Sequence, residues 1–141
     1  MKLLLMIMAL FEGVTGIVLL LVPARSVPLL IGVPLDTPAG LVAGRIAGAA
    51  LIALAIACWQ ARNGERGGAA TAVVAAMLFY NEAAAFLFVY ASVRLQLQSP
   101  FIWPAFLIHQ ALAGWCLVNL WVTRSRQAKA AVAEASALSA E

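Results

Sequence analysis

Four long apolar stretches, separated by short polar breaks, dominate the pattern of hydrophobic and polar positions along the chain. They run over residues 3–22, 40–60, 69–93 and 101–123. A helix needs about 20 apolar residues to cross the hydrocarbon core of a bilayer, so each stretch predicts a transmembrane helix. Membrane strands would instead alternate polar and apolar residues over about ten positions. The pattern therefore predicts an all-α, polytopic membrane protein, built as a four-transmembrane-helix bundle.

The breaks contain residues that end and begin helices. Four prolines between residues 23 and 38 forbid one continuous helix, and the apolar run 27–33 predicts a short interfacial helix between helices 1 and 2. Thr37-Pro38 and Ser99-Pro100 each match an N-cap with proline at the first helical position. This shared signature indicates that the second and fourth spans begin on the same side of the membrane. Residues 62–68 predict a polar turn.

The same pattern divides the chain into a transmembrane domain, residues 1–123, and an alanine-rich cytoplasmic tail, residues 124–141. The tail contains few large apolar side chains, so it either extends the last helix or frays, and it contains no candidate site. Residues 3–22 are too long for the apolar core of a cleaved signal peptide. We therefore expect them to remain as the first span.

Composition excludes a soluble domain. Hydrophobic residues make up 65% of the chain and charged residues 11%, whereas soluble domains are about half apolar and about a quarter charged. The net charge of +3 is not concentrated in a basic patch with aromatic residues, so no nucleic-acid partner is predicted. Cys58 and Cys116 lie in separate apolar stretches without CxxC spacing, which predicts buried thiols rather than a disulfide or a zinc site.

The distribution of positive residues predicts the orientation. Cytoplasmic segments are enriched in Lys and Arg, and cytoplasmic termini put six of these residues inside: Lys2, Arg62, Arg66, Arg124, Arg126 and Lys129. Arg25 and Arg94 then lie outside, and Trp59 and Trp121 come at the inner ends of their helices, where aromatic residues are common. We expect a multi-pass protein of the bacterial inner membrane, with N and C termini in the cytoplasm.

Each apolar stretch contains polar residues far from its ends. Five of them are candidate ligand-binding or proton-titrating residues: Glu12, Arg45, Asn81, Glu82 and His109. Counted from the outer ends at about 1.5 Å per residue, Glu12 lies roughly 15 Å deep, Glu82 about 16 Å and His109 about 12 Å. Arg45 begins about 8 Å deep and has a long side chain. We therefore predict that Glu12, Arg45, Glu82 and His109 meet in the outer half of the bundle.

Two interpretations of this polar cluster stay open. Ionisable residues within a membrane are costly to bury and often functional, which favours a binding or proton-titrating site. Alternatively, Glu12, Arg45 and Glu82 form a satisfied network that determines which helices pack together. Asn81 and Gln110 are turned about 100° from their neighbours, so they are expected to face a neighbouring helix or a partner chain.

Metal and haem sites have little support in the sequence. His109 is the single histidine, whereas a six-coordinate b-type haem needs a second axial ligand. Carboxylate and histidine metal sites on helices often show Glu-x-x-His spacing, which the chain lacks. We predict no metal site, no bound cofactor and no catalytic motif of a recognised kind.

The second span begins with three small residues spaced four apart: Gly40, Gly44 and Gly48. This spacing lets helix backbones approach closely, either within the chain or between two copies of it. Gly13 and Gly16 flank Glu12 and indicate a close approach to the first helix as well. We therefore predict that the first two spans pair around Glu12 and Arg45.

Three short motifs in the first 60 residues resemble a known group of proteins. They are Leu20-Leu21-Val22-Pro23, Ile31-Gly32 and Gly44-Arg45-Ile46-Ala47-Gly48. With this layout, the chain is similar to small bacterial four-helix membrane proteins of the DoxX-like type. The resemblance implies a four-helix fold, and it implies a quinone as cofactor, because some of those proteins act in quinone-linked sulfur oxidation.

The predicted function is that of an integral membrane protein rather than an enzyme. It would bind a small ligand or lipid through the polar cluster, or serve as a subunit of a membrane assembly. Its expected partners are the lipid bilayer and either a second copy or other membrane subunits. Two alternatives remain: a DoxX-like quinone-linked redox component, and a small proton-coupled transporter in which one glutamate cycles its proton.

Overall fold

A computed structural model describes residues 1–64 and 68–138 of the chain. These residues form five helices and no strand: α1 (Lys2–Leu21), α2 (Pro23–Ile31), α3 (Pro38–Ala61), α4 (Ala69–Val93) and α5 (Ile102–Leu138). All except α2 are long and apolar enough to cross a membrane. The prediction of an all-α, four-helix membrane bundle with a short helix after the first span is confirmed.

The four long helices begin and end within two residues of the predicted spans, except at the end of α5. The short helix α2 begins four residues before the predicted run 27–33 and ends two residues before its end. Helix α5 continues to Leu138, with its side chains exposed from Arg126 onwards, so the tail extends the last helix instead of fraying. Residues 139–141 lie outside the described residues. The same holds for residues 65–67 of the predicted polar turn, including Arg66, one of the positive residues used to predict the orientation.

Local capping determines where α3 begins. The Thr37 hydroxyl oxygen accepts a hydrogen bond of 3.1 Å from the Gly40 N–H, and Pro38 is the first helical residue, as the sequence predicts. The second capping signature differs in detail. The Ser99 hydroxyl accepts a bond of 3.1 Å from the Phe101 N–H, and residues 100 and 101 form a turn before α5 begins.

Two contacts show the up-and-down arrangement of the helices. At one end, the Thr123 hydroxyl of α5 lies 3.9 Å from the Met1 sulfur, so the N-terminus is next to the middle of the last helix. At the other end, the Ser99 hydroxyl donates a hydrogen bond of 2.6 Å to the Leu29 carbonyl oxygen. The second contact ties α2 to the loop between α4 and α5. The second and fourth spans therefore begin at the same end of the bundle, as predicted.

The bundle consists of two closely packed pairs, α1 with α3 and α4 with α5. A Cβ atom added at Gly48 would lie 2.5 Å from the Leu20 backbone nitrogen and 2.7 Å from the Gly16 carbonyl oxygen. The α1 and α3 backbones therefore touch, and the predicted pairing of the first two spans is observed. Gly44 lies instead against Pro23 of α2, and Gly40 against the loop before α3.

Large apolar side chains fill the half of the bundle nearest the termini. Its buried members include Leu4, Leu5, Met8, Cys58, Val74, Met77, Leu112 and Cys116. Both cysteines are buried and free, as predicted. Nearer the other end of the bundle, the buried side chains of α1, α4 and α5 include Glu12, Asn81 and His109. The bundle interior therefore contains a polar region, which lies between the two helix pairs.

Candidate functional site

Glu12 lies in the middle of α1 and points into the bundle. It continues the buried face of that helix, which includes Leu5, Met8 and Gly16. The side chain has an exposed fraction of 0%, and neither carboxyl oxygen forms a hydrogen bond with any residue in 1–64 or 68–138. A buried carboxyl group in apolar surroundings is costly unless a hydrogen bond, a proton or a cation compensates it. Glu12 is thus the least satisfied of the polar groups in the bundle interior.

His109 is held in a fixed orientation by α4. Its Nδ1 lies 2.8 Å from the Asn81 Oδ1, and the Asn81 amide nitrogen donates a hydrogen bond of 2.7 Å to the Met77 carbonyl oxygen. Because this second bond directs the amide oxygen toward the ring, Nδ1 carries the proton and donates it. The other ring nitrogen of a neutral histidine, Nε2, is then an acceptor.

Aromatic side chains surround the histidine ring. The ring centroid of His109 lies 5.7 Å from those of Tyr80 and Phe88, and 6.0 Å from that of Phe11. Phe11 and Tyr80 meet the imidazole edge to face. The Tyr80 hydroxyl also lies near the Glu12 carboxyl group, although the two do not form a hydrogen bond by geometry.

These groups line a cavity of about 230 Å³ between α1, α4 and α5. Its polar lining residues are Glu12, Thr15, Tyr80 and His109, and Phe11 and Phe88 are among its apolar walls. A second cavity of about 270 Å³ shares three walls with the first: Thr15, Leu30 and Phe101. The second cavity therefore adjoins the first on the side of α2. We call the first of these the Glu12 cavity.

The structure corrects the predicted meeting of Glu12, Arg45, Glu82 and His109. Glu82 is exposed on the outside of α4, where it accepts a hydrogen bond of 3.2 Å from the Gln110 amide nitrogen. Arg45 is exposed on α3 and forms no ion pair with any described residue. The predicted meeting of Arg45 and Glu82 with the other two residues, and the pairing of the first two spans around Arg45, are therefore wrong for the single chain.

The reason for this error is the rotation of α4 about its axis. Adjacent residues on a helix point about 100° apart, and the structure turns Asn81 inward and Glu82 outward. The buried residues of α4 recur every three or four positions: Ala70, Val74, Met77, Asn81 and Ala85. Glu82 lies on the opposite stripe with Phe79 and Phe86, whose exposed fractions are 77% and 68%. In the sequence, both stripes are apolar apart from Asn81 and Glu82, so the pattern alone does not single out Asn81.

Sequence reasoning also missed Tyr80 and Phe88. Nothing in the linear sequence relates either residue to His109. Their contribution depends on the packing of α4 against α5. Only the packed helices bring the rings of Tyr80 and Phe88, together with that of Phe11, around the His109 imidazole.

No protein-family model matches the chain, and no curated protein or solved structure is significantly similar to it. Within residues 1–64 and 68–138, His, Cys, Asp and Glu side chains do not form a group of three suited to a metal ion. The chemistry of the Glu12 cavity is that of hydrogen-bond acceptors between aromatic walls. Such a cavity suits the binding and orientation of a small molecule.

Proposed function

We propose that this integral membrane protein binds a small ligand in the Glu12 cavity and has no catalytic activity of its own. The observation that carries the proposal is Glu12, a fully buried carboxyl group whose two oxygens form no hydrogen bond with a described residue and which lines a cavity. An unsatisfied buried polar group costs about 1–3 kcal/mol, and more when it is charged. A ligand that satisfies Glu12 would remove that cost.

The competing interpretation makes the polar cluster a structural network. Such a network stabilises helix packing when its members satisfy one another. His109 and Asn81 fit that description, because they are bonded to each other. Glu12 fits it less well, because its carboxyl oxygens form no hydrogen bond with a described residue, although the Tyr80 hydroxyl lies near them. The binding proposal therefore rests on Glu12, with His109 as an oriented neighbour.

The test is native mass spectrometry of the protein released gently from its own membrane. The parent chain is compared with Glu12→Gln and with Glu82→Gln, a matched control that changes an exposed carboxyl group at similar depth. We expect a small molecule to be retained by the parent and by Glu82→Gln, and to be lost from Glu12→Gln. A bare chain in all three samples would contradict the proposal, as would the same bound molecule in all three.

The mass of the retained molecule also tests the two alternatives. A quinone would favour the redox component that the DoxX-like resemblance implies. A bare chain that still carries protons across vesicle membranes, with this flux lost in Glu12→Gln, would favour the proton-coupled transporter. For both alternatives, Glu12 is the residue to change, because Glu82 does not line the cavity.

A second function is favoured by a separate observation. Glu82 and Gln110 form a hydrogen-bonded pair that is exposed toward the membrane, flanked by the exposed rings of Phe79 and Phe86. Polar groups of membrane helices almost always face protein or water rather than lipid. We propose that this surface of α4 and α5 packs against a second copy of the chain, in which the same acid and amide supply matching acceptors and donors.

Cross-linking of single cysteine substitutions tests this interface. Both native cysteines are buried, so Phe86→Cys is expected to form a disulfide-linked dimer in membranes under mild oxidation. Ile46→Cys on α3, where the parent side chain is also well exposed, is the control and should remain monomeric. Equal yields from the two variants, or none from Phe86→Cys, would argue against a dimer through this surface.

The orientation and location also remain proposals. The end of the bundle that contains the N-terminus also carries Lys2, Arg62 and Arg124, whereas Arg25 and Arg94 belong to the other end. Because cytoplasmic segments are enriched in positive residues, this distribution supports cytoplasmic termini. We propose a multi-pass protein of the bacterial inner membrane in that orientation.

A further inference from the structure

The polar lining of the Glu12 cavity consists of hydrogen-bond acceptors and hydroxyl groups. The carboxyl group of Glu12 and the Nε2 atom of His109 accept, and the hydroxyl groups of Thr15 and Tyr80 can both accept and donate. Among the residues that the structure describes, no lysine or arginine lines this cavity. A ligand that carries a carboxylate or a phosphate would therefore meet no opposite charge. The cavity favours a ligand that brings its own donors.

The ionisable carboxyl group of Glu12 further restricts the chemical class of the ligand. A carboxyl group that is removed from water either holds a proton or, as a carboxylate, needs a cation nearby, because hydrogen bonds alone compensate only part of the lost hydration of the charged form. Neither carboxyl oxygen of Glu12 has a partner among the described residues. A hydroxyl ligand would supply a donor but no charge. An ammonium group supplies a positive charge and up to three N–H donors.

The walls of the cavity suit an organic cation. Four aromatic side chains contribute to them: Phe11, Tyr80, Phe88 and Phe101. Aromatic faces attract ammonium groups through the ring quadrupole, and this attraction is stronger where water is excluded. The same rings offer an apolar surface to the carbon skeleton of a ligand. Glu12 and these walls together resemble the surroundings in which proteins bind alkyl and aryl amines.

The space available fits a molecule of modest size. The Glu12 cavity of about 230 Å³ and the adjoining cavity of about 270 Å³ share Thr15, Leu30 and Phe101. Together they fall within the range of about 300–1,000 Å³ that is common for ligand pockets. The adjoining cavity has an almost entirely apolar lining, so it suits an alkyl or aryl chain. The polar end of the ligand then lies at Glu12.

We infer that the ligand of the Glu12 cavity is an amphipathic organic amine, an inference that rests on the proposed binding function. Its ammonium group binds the Glu12 carboxylate, with the His109 Nε2 atom as a further acceptor. Its apolar part lies between the aromatic walls and extends toward α2. Glu12 determines the preference for a charged head group, and the aromatic side chains determine the preference for an apolar body.

Binding of a matched pair of probes tests this inference. The purified full chain in phosphatidylcholine nanodiscs is titrated calorimetrically with 4-phenylbutylamine and with 4-phenylbutanol, and titrations of empty nanodiscs are subtracted. The two probes share a carbon skeleton and differ in the charge of the head group. We expect the parent to bind the amine at least tenfold more tightly than the alcohol. We expect Glu82→Gln to keep this preference and Glu12→Gln to lose it.

A second variant distinguishes loss of the amine preference from loss of the folded structure. Glu12→Asp keeps the charge but shortens the side chain, so it should still prefer the amine, with at least threefold weaker binding than the parent. Each variant is first compared with the parent in thermal unfolding. Amine binding that is unchanged in a folded Glu12→Gln would overturn the inference, because the amine would then be held by lipid or by another surface.

Failure of the inference and failure of the proposed function give different results. Decylhydroquinone is titrated in the same way as a third probe. If it or the alcohol binds as tightly as the amine, and Glu12→Gln weakens that binding, the cavity binds a ligand but the amine class is wrong. If none of the three probes binds the folded parent and native mass spectrometry finds no retained molecule, the binding function itself is wrong. The two experiments therefore separate the ligand class from the existence of the site.

Discussion

At the scale of single residues, the neighbours Asn81 and Glu82 lie on opposite sides of α4, one in the bundle interior and the other on its outer surface. Asn81 is fully buried and joins α4 to His109, whereas Glu82 is exposed and joins α4 to Gln110. The two side chains lie at nearly the same depth. Substitutions at these positions should therefore separate a contribution to the interior from a contribution to the outer surface.

Asn81→Leu is expected to destabilise the folded chain. It removes the acceptor for the His109 Nδ1 hydrogen while keeping a side chain of similar size, and leaves a buried donor without a partner. The expected loss is about 1–3 kcal/mol in the free energy of unfolding. The measurement is unfolding in mixed detergent micelles, followed by circular dichroism.

Glu82→Leu is the control for this prediction. It removes an exposed polar group of the adjacent residue, so it should change the free energy of unfolding of the monomer by less than about 0.5 kcal/mol. Equal losses in Asn81→Leu and Glu82→Leu would show that the His109 hydrogen bond does not stabilise the interior more than a surface contact does.

At the scale of helices, contact between the α1 and α3 backbones positions Glu12. Gly16 and Gly48 have no side chains, and the two helices meet at these residues. Glu12 lies one helical turn before Gly16, on the same buried face of α1. This close pairing presents one face of α1 to α4 and α5, and the cavity forms between that face and His109.

Gly48→Ala is expected to weaken this helix pair. The new Cβ atom would lie 2.5 Å from the Leu20 nitrogen, a backbone atom that cannot move aside like a side chain. We expect a loss of about 1–3 kcal/mol in the free energy of unfolding, which is typical of overpacking. Unfolding in mixed micelles measures it.

Gly114→Ala is the matched control, because a Cβ atom there would meet no atom of the described part of the chain within 4 Å. Alanine in a helix interior is favoured over glycine by about 0.5–1 kcal/mol, so this variant should be unchanged or slightly more stable. If both glycine variants unfold like the parent, the close approach of α1 and α3 is not a constraint on the fold.

At the scale of the whole molecule, the helices alternate in direction, and the loops divide between two ends. α2 and the loop between α4 and α5 share one end. The N-terminus and the middle of α5 share the other. This arrangement lets accessibility of the loops test the proposed orientation in living cells.

Labelling with a membrane-impermeant maleimide provides that test. Asp36 and Asn63 are exposed and lie in loops at opposite ends of α3. With cytoplasmic termini, Asp36→Cys should react in intact spheroplasts, and Asn63→Cys should react only after lysis. The parent is the control, because its two cysteines are buried. The reverse pattern would place the termini outside the cell membrane.

The resemblance of the first 60 residues to DoxX-like proteins stays a prediction, as does the quinone that it implies. The motifs that carry it consist mainly of small and apolar residues. In this structure, one of those residues, Gly48, takes part in helix packing, and another, Arg45, is exposed on α3. Neither lines the Glu12 cavity, so these motifs do not bear on its ligand.

The sequence by itself determined the number of helices, most of their bounds and the presence of polar groups at mid-depth. These features depend on local physics. Backbone groups in lipid must be bonded within their own helix, and prolines and capping residues mark where each helix starts. The long apolar runs are therefore sufficient to predict α1, α3, α4 and the start of α5.

Only the tertiary structure decided which way each helix faces. Lipid and protein core both accept apolar side chains, so a membrane helix is apolar on nearly every side and its hydrophobic pattern says little about its rotation. Depth along the helix placed Glu12, Glu82 and His109 at similar levels, but packing of α1 on α3 and of α4 on α5 turned Glu12 and His109 inward and Glu82 outward. The Glu12 cavity exists because of those rotations.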